Sequence, residues 1–192
     1  MAARDDRCRN KSGMTEKDRA DVIGSPTLRN AGPADAPALA ALARRTFTET
    51  FGHLYHPRDL AAFLAGHTKE RWAAELVDPA YAIRVAEADG DLVAYTKLGP
   101  PSLPIEPRGS SIELRQFYVL APFHGTGLAR DLMAWVLAAA RARKAADLYL
   151  SVFVDNHRAQ AFYARYGFER VGRYEFVVGS HKDEDHLMRL AL

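Results

Sequence analysis

Apolar residues alternate with polar ones in some stretches of this chain and recur every three or four positions in others. The change of period divides it into strands and helices. Thr27 to Asn30 reads as a short strand, closed by Gly32-Pro33. Pro33-Ala34-Asp35 opens a helix, with proline in the first turn and an acid at the positive end. Leu39, Leu42 and Phe47 continue its apolar stripe. A second helix starts at Pro57-Arg58-Asp59 and runs to about Ala65, and a third runs from Thr68 through Arg71 and Trp72 to Asp78-Pro79. Tyr81 to Ala86 and Leu92 to Leu98 are strands joined at Asp89-Gly90, a hairpin signal. Proline-rich Gly99 to Gly109 is a loop, and Ser111 to Val119 is the next strand. Leu128 to Arg143 is the clearest helix, with Leu128, Leu132, Trp135, Val136 and Ala139 on one face. Asp147 to Val154 is a strand and Arg158 to Tyr166 a short helix stopped by Gly167. Phe168 to Val178 and His186 to Leu190 end the chain as two strands around a polar turn. Strand pairs at both ends and strand–helix alternation between them predict an α/β (α+β) fold. Its sheet is mixed and mostly antiparallel, with helices on both faces.

Composition narrows this picture. At 192 residues, 48% hydrophobic and 26% charged, the chain is one globular domain with some chain to spare. Residues 1–26 hold almost no large apolar side chain besides Val22 and Ile23, and read as a disordered leader before a single domain over 27–192. No apolar core follows the early arginines, so this is no secretory signal, and Met14 offers an alternative start. One cysteine, Cys8, excludes a disulfide framework and suggests the reducing cytoplasm. A net charge of +2 is no nucleic-acid footprint, and no apolar run is long enough to span a membrane. His53 with His56, and His181 with His186, read as solvated histidines, so no metal is expected.

The chemistry concentrates between Ser111 and Ala129. Strand, proline, Gly125-Thr126-Gly127 and then a long helix follow in order. A helix start leaves backbone N–H groups unpaired and carries positive partial charge, and glycines let an anion approach it closely. The segment is therefore a candidate phosphate cradle, although the same residues also suit an ordinary tight turn. A Walker loop is excluded because Leu128-Ala129 follow Gly127 where Lys and Ser or Thr would stand. A dinucleotide fingerprint is excluded because Arg130 occupies the third glycine position.

His124-Gly125-Thr126-Gly127-Leu128-Ala129 resembles the acetyl-CoA signature of the GCN5-related N-acetyltransferases (GNAT), with His124 in place of the usual Arg or Gln. Asn156-His157-Arg158-Ala159-Gln160-Ala161-Phe162-Tyr163, followed by Gly167-Phe168, resembles a second block of that family. The resemblance implies the GNAT-like sheet and acetyl-CoA as co-substrate. Backbone groups of Phe117, Tyr118 and Val119 would pair with the pantetheine arm. His124, Gly125, Thr126, Gly127, Leu128, Ala129 and Arg130 would cradle the pyrophosphate. Asn156 would contact the arm, and Arg165 or Arg158 a phosphate. Tyr163 would face the thioester sulfur.

Acetyl transfer to an amine needs a neutral nitrogen, a held oxyanion and a proton for the thiolate. A lysine-like amine with pKa near 10.4 is about 4.6 kcal/mol from its neutral form at pH 7. A base helps, and Glu113 is the candidate, alternatively a surface residue or a partner for Arg115. A backbone N–H near Val119 suits the oxyanion, and Tyr163 the acid, alternatively a core tyrosine packed on the sheet. Thr46 to His53, His56 to Leu60 and the C-terminal Gly172 to Leu190 resemble the family branch that acetylates polyamines such as spermidine. Glu49 and Asp59, with Glu113, would then hold the ammonium groups. Another amine (a protein N-terminus or lysine, an amino acid, an aminoglycoside) stays open, as does a CoA-binding module without turnover. The expected partners are a small amine and acetyl-CoA, without nucleic acid or membrane, and a homodimer is compatible with the sequence.

Overall fold

The computed structural model describes residues 24–106 and 108–192. Apart from residues 24–26, the expected leader lies outside the described residues, Cys8 and Met14 with it. One seven-stranded sheet runs in the order β1-β2-β3-β4-β5-β7-β6. The strands are β1 Thr27–Asn30, β2 Ala82–Ala88, β3 Asp91–Gly99, β4 Ser111–Val119, β5 Asp147–Phe153, β6 Glu169–Val178 and β7 His181–Ala191. All neighbours are antiparallel except β4 and β5. The helices are α1 Ala36–Phe51, α2 Pro57–Ala65, α3 Lys69–Val77, α4 Leu128–Ala142 and α5 His157–Ala164. They lie on both faces of the sheet, as the patterning predicts. Trp72 of α3 packs edge-on against Tyr95 of β3, and Leu39 and Leu42 of α1 join the same cluster. Met133 and Val136 of α4 pack with Leu98, Leu148 and Leu150 in a second cluster. A buried Lys97–Glu75 ion pair (2.6 Å) beneath the Trp72 ring ties α3 to β3.

Two irregularities position the site. The β3–β4 register slips between Lys97/Gln116 and Leu98/Leu114, so Arg115 is the extra residue of a bulge in β4. The parallel β4–β5 ladder covers only Ser111–Glu113 and Asp147–Tyr149. Beyond it, β4 continues along β3 and β5 continues along β7, so the sheet opens into a V.

The last hairpin differs from its sequence reading. Gly179-Ser180 alone form the turn, and β7 begins at His181 rather than His186. His181 to Asp185 are polar enough to suggest a turn. Their alternation nevertheless continues the strand: Asp183, Asp185 and Leu187 are buried, while Lys182 and Glu184 are exposed.

Candidate active site

The open V forms a cavity of about 480 Å³ walled by β4, β5, the start of α4, α5 and the aromatic end of α1. At its mouth the chain turns through Gly125 (φ +82°) and Gly127 (φ +95°), backbone that favours glycine, into the first turn of α4. The N–H groups of that turn have no partner within the helix and point where an anion would sit. Thr126 turns its hydroxyl back onto the Phe123 carbonyl (2.8 Å) and Leu128 is buried in the core, so neither side chain lines the cavity. Gly125, Gly127, Ala129 and Arg130 do line it.

His124 sits at the lip. Its Nε2 lies 2.8 Å from the Val119 carbonyl, and the Arg158 guanidinium is 2.7 Å from its Nδ1. Arg130, Arg158 and Arg165 line the cavity from α4 and α5, a basic rim suited to phosphates, whereas the Arg115 guanidinium donates to the Pro100 carbonyl (2.9 Å). Along the β4 wall stand Phe117, Tyr118 and Val119, whose outer edge no strand covers among the described residues. Asn156 caps α5 by accepting from the Ala159 N–H (3.1 Å), which leaves its amide nitrogen as a donor on the cavity wall. Tyr163 lies between Phe117, Phe162 and Phe168, and lines the cavity opposite. Burial pushes the pKa of its phenol well above the ordinary tyrosine range, so it stays a proton donor across the working pH range.

Three sequence candidates stand elsewhere. The Glu113 carboxylate is buried and turned into the proline-rich loop, where it accepts from the N–H groups of Ser102 and Leu103 and from the Ser102 hydroxyl. It does not line the cavity. Glu49 pairs with Arg45 one helical turn away (2.7 Å), on the exposed face of α1. Asp59 accepts from the backbone N–H and hydroxyl of Ser180, bracing the β6–β7 turn. Each carboxylate has found its donors outside the V.

The far end of the cavity holds residues that the sequence reading missed. Phe47, Phe51, Tyr55, Phe153 and Phe176 form its walls. Two carboxylates, Asp183 and Asp185, enter from β7. Asp183 accepts from the Tyr55 hydroxyl and lies 3.0 Å from His181 Nε2. Burial, with Asp183 nearby, lifts the Asp185 pKa to about 6, although a hydrogen bond from Ser151 partly offsets the rise. Burial and the Asp185 charge raise the Tyr118 phenol, which acts in turn on Tyr163. The cavity therefore joins a basic rim, a row of aromatics and tyrosines, and an acidic floor.

The profile of the acetyltransferase (GNAT) family matches residues 37–168, most of the chain including this cavity's α4 and α5 walls. The chain belongs to that family. It is accordingly an acetyl-CoA-dependent acetyltransferase. An uncharacterized N-acetyltransferase of Mycobacterium tuberculosis is 39% identical over 155 residues, 80% of this chain and 96% of that protein. The spermine/spermidine N(1)-acetyltransferase of Bacillus subtilis is 29% identical over 90 residues, 46% of this chain and 59% of that one. In fold, the chain resembles the PaiA N-acetyltransferase of Thermoplasma acidophilum, solved with coenzyme A. The TM-score is 0.71 at 18% identity, over 88% of this chain and 99% of that one. Among the described residues no helix is long and apolar enough to cross a membrane, and no three or more His, Cys, Asp or Glu are placed to hold a metal ion.

Proposed function

We propose that this GNAT member acetylates a primary amine of a small polyamine, by direct attack on acetyl-CoA in a ternary complex. One observation carries the acceptor class: two buried carboxylates at the floor of an aromatic-walled cavity, at the end remote from the basic rim. An apolar wall with anionic groups suits an alkyl chain bearing several ammonium groups. The partial likeness to the spermine/spermidine enzyme of Bacillus subtilis agrees with this class.

In this reading the backbone of Gly125 to Arg130 holds the pyrophosphate, and Arg158 and Arg165 attract the remaining phosphate. The free edge of Phe117 to Val119, with the Asn156 amide, holds the pantetheine arm. Bound acetyl-CoA supplies the activated acyl carbon. A backbone N–H near Val119 steadies the oxyanion. Tyr163 donates to the departing sulfur. So weak an acid acts first as a hydrogen-bond donor, and gives up its proton only as it regains one from the acetylated nitrogen. Residues 27–192 act as one domain, in the reducing cytoplasm that a single cysteine suggests.

Thiol release from acetyl-CoA, followed with spermidine, spermine, putrescine, a matched monoamine, lysine, an aminoglycoside and an alanine-terminated peptide, tests the reading. Polyamines should exceed the monoamine in kcat/KM by about tenfold or more, the worth of one docked ion pair in a partly dry site. Equal rates for polyamine and monoamine, or preference for the peptide, would refute the acceptor class. CoA binding without turnover of any amine would mark a binding module.

A further inference from the structure

We propose that Asp185 is the base of this enzyme, taking the proton from the acceptor ammonium, while Asp183 docks a second positive charge. The proposal rests on the amine-acetylating reading above and names residues that the family motifs do not contain.

Geometry comes first. Asp183 and Asp185 lie two positions apart on one face of β7, which places their Cα atoms about 7 Å apart. That spacing suits two ammonium groups joined by a short aliphatic linker. The two carboxylates differ in surroundings. Asp183 is held in place by Tyr55 and His181. Asp185 is 8% exposed, lines the cavity, and stands across the β5–β7 ladder from Phe153. The groups around it are Asp183 on its own strand, Ser151 of β5, Tyr174 directly opposite on β6, Tyr118 of β4 and Tyr55. No basic side chain figures among them, so little holds the Asp185 charge until a cationic substrate arrives. A carboxylate so placed accepts a proton more readily than an ordinary aspartate. Glu113, the alternative on β4, has its oxygens occupied by the loop at Ser102 and Leu103.

The step balances. The acceptor enters as an ammonium and gives one proton to Asp185. The nitrogen lone pair then forms the C–N bond at the acyl carbon, and the carbonyl electrons move onto oxygen. As they return, the C–S bond breaks and the electron pair leaves on sulfur. Tyr163 protonates that sulfur and regains the second nitrogen proton. The products are the amide, free thiol, and a proton that Asp185 releases to solvent.

The test compares wild type, Asp185→Asn and Asp183→Asn with the best acceptor of the amine panel. Wild-type kcat/KM should fall as pH drops below about 6. Asp185→Asn should lose about 10²–10³-fold in kcat/KM and lose that acid limb, while CoA affinity by calorimetry stays at the wild-type level. Asp183→Asn should keep the limb and raise KM by about tenfold, with kcat nearly retained. Calorimetry with spermidine alone at pH 6, in buffers of different ionisation heat, should show proton release from wild type and none from Asp185→Asn. An Asp185→Asn enzyme that keeps wild-type kcat/KM and its acid limb would overturn the proposal. A peptide as best acceptor would overturn the polyamine reading and leave the Asp185 test intact with that peptide. No turnover with any amine would overturn both.

Discussion

Replacing Asp185 by asparagine should make the protein more stable at neutral pH. In the folded protein its pKa stands at about 6 against an ordinary 3.8, because burial outweighs the Ser151 hydrogen bond. The folded state therefore binds a proton more readily than the unfolded one. Linkage makes stability fall as pH rises between those two values. Below about 4 both states hold the proton and the advantage is complete; above about 6 it is gone and the buried charge is carried at full cost. At 1.36 kcal/mol per unit, a rise from 3.8 to about 6 bounds that cost at about 3 kcal/mol. The carboxylate lines a cavity that opens to the surface, where water screens it, so about 1–2 kcal/mol is the expected gain. Asparagine keeps the shape and can still accept from Ser151. The expected rise in melting temperature at pH 8 is about 2–8 °C for a chain of this size. Thermal denaturation of both proteins at pH 4.5, 6 and 8 checks it, and the difference should shrink toward the acid end. A variant destabilised at pH 8 would refute the reasoning and make Asp185 a structural hydrogen-bond acceptor. A gain independent of pH would also refute it.

Gly127→Asp should abolish measurable CoA binding by calorimetry. It puts a side chain at φ +95°, with its Cβ 3.2 Å from Arg130 Nη2, and adds negative charge where an anion belongs. Tyr163→Phe should lower turnover about 10–100-fold while CoA affinity and fold persist, because a thiolate needs little protonation; unchanged steady-state rates, with product release shown not to limit, would make it a packing residue. Glu113→Ala should cost about 1–2 kcal/mol of stability by urea denaturation, since the part-buried bonds from Ser102 and Leu103 to a charged acceptor are lost, while kcat stays within about threefold.

Features set within a few neighbouring residues were legible in the sequence. The α4 stripe of Leu128, Leu132 and Val136 and the Gly125–Gly127 turn depend only on local backbone preference and periodicity, and both stand where the pattern put them. The Asn156 cap is just as local, made within one helical turn, yet the sequence reading does not assign it and begins the helix at Arg158. The acidic residues were harder because their environments come from distant chain. Glu113 lies on the predicted strand, but the loop that binds its carboxylate is a contact between Ser102 and β4 that no spacing reveals. Glu49 did carry a local warning, since Arg45 precedes it by four positions on one helix, the spacing of a surface ion pair. Asp183 and Asp185 look like turn residues by composition. Only their alternation with Lys182 and Glu184 hinted at a strand, and only the placement of β7 beside β5 turns that face toward the cavity.

The short β4–β5 ladder has a mechanical consequence. Three residue pairs are all that joins the two leaves as sheet, so the gap between them is an unfinished ladder. An extended chain of amides laid along Phe117 to Val119 would act as an eighth strand and brace the leaves where they are softest. Such a brace stiffens the wall from which Tyr118 projects, and that wall is shared by both ends of the cavity. One substrate is then also a structural member: until it is in place, the pocket for the other lacks a firm side.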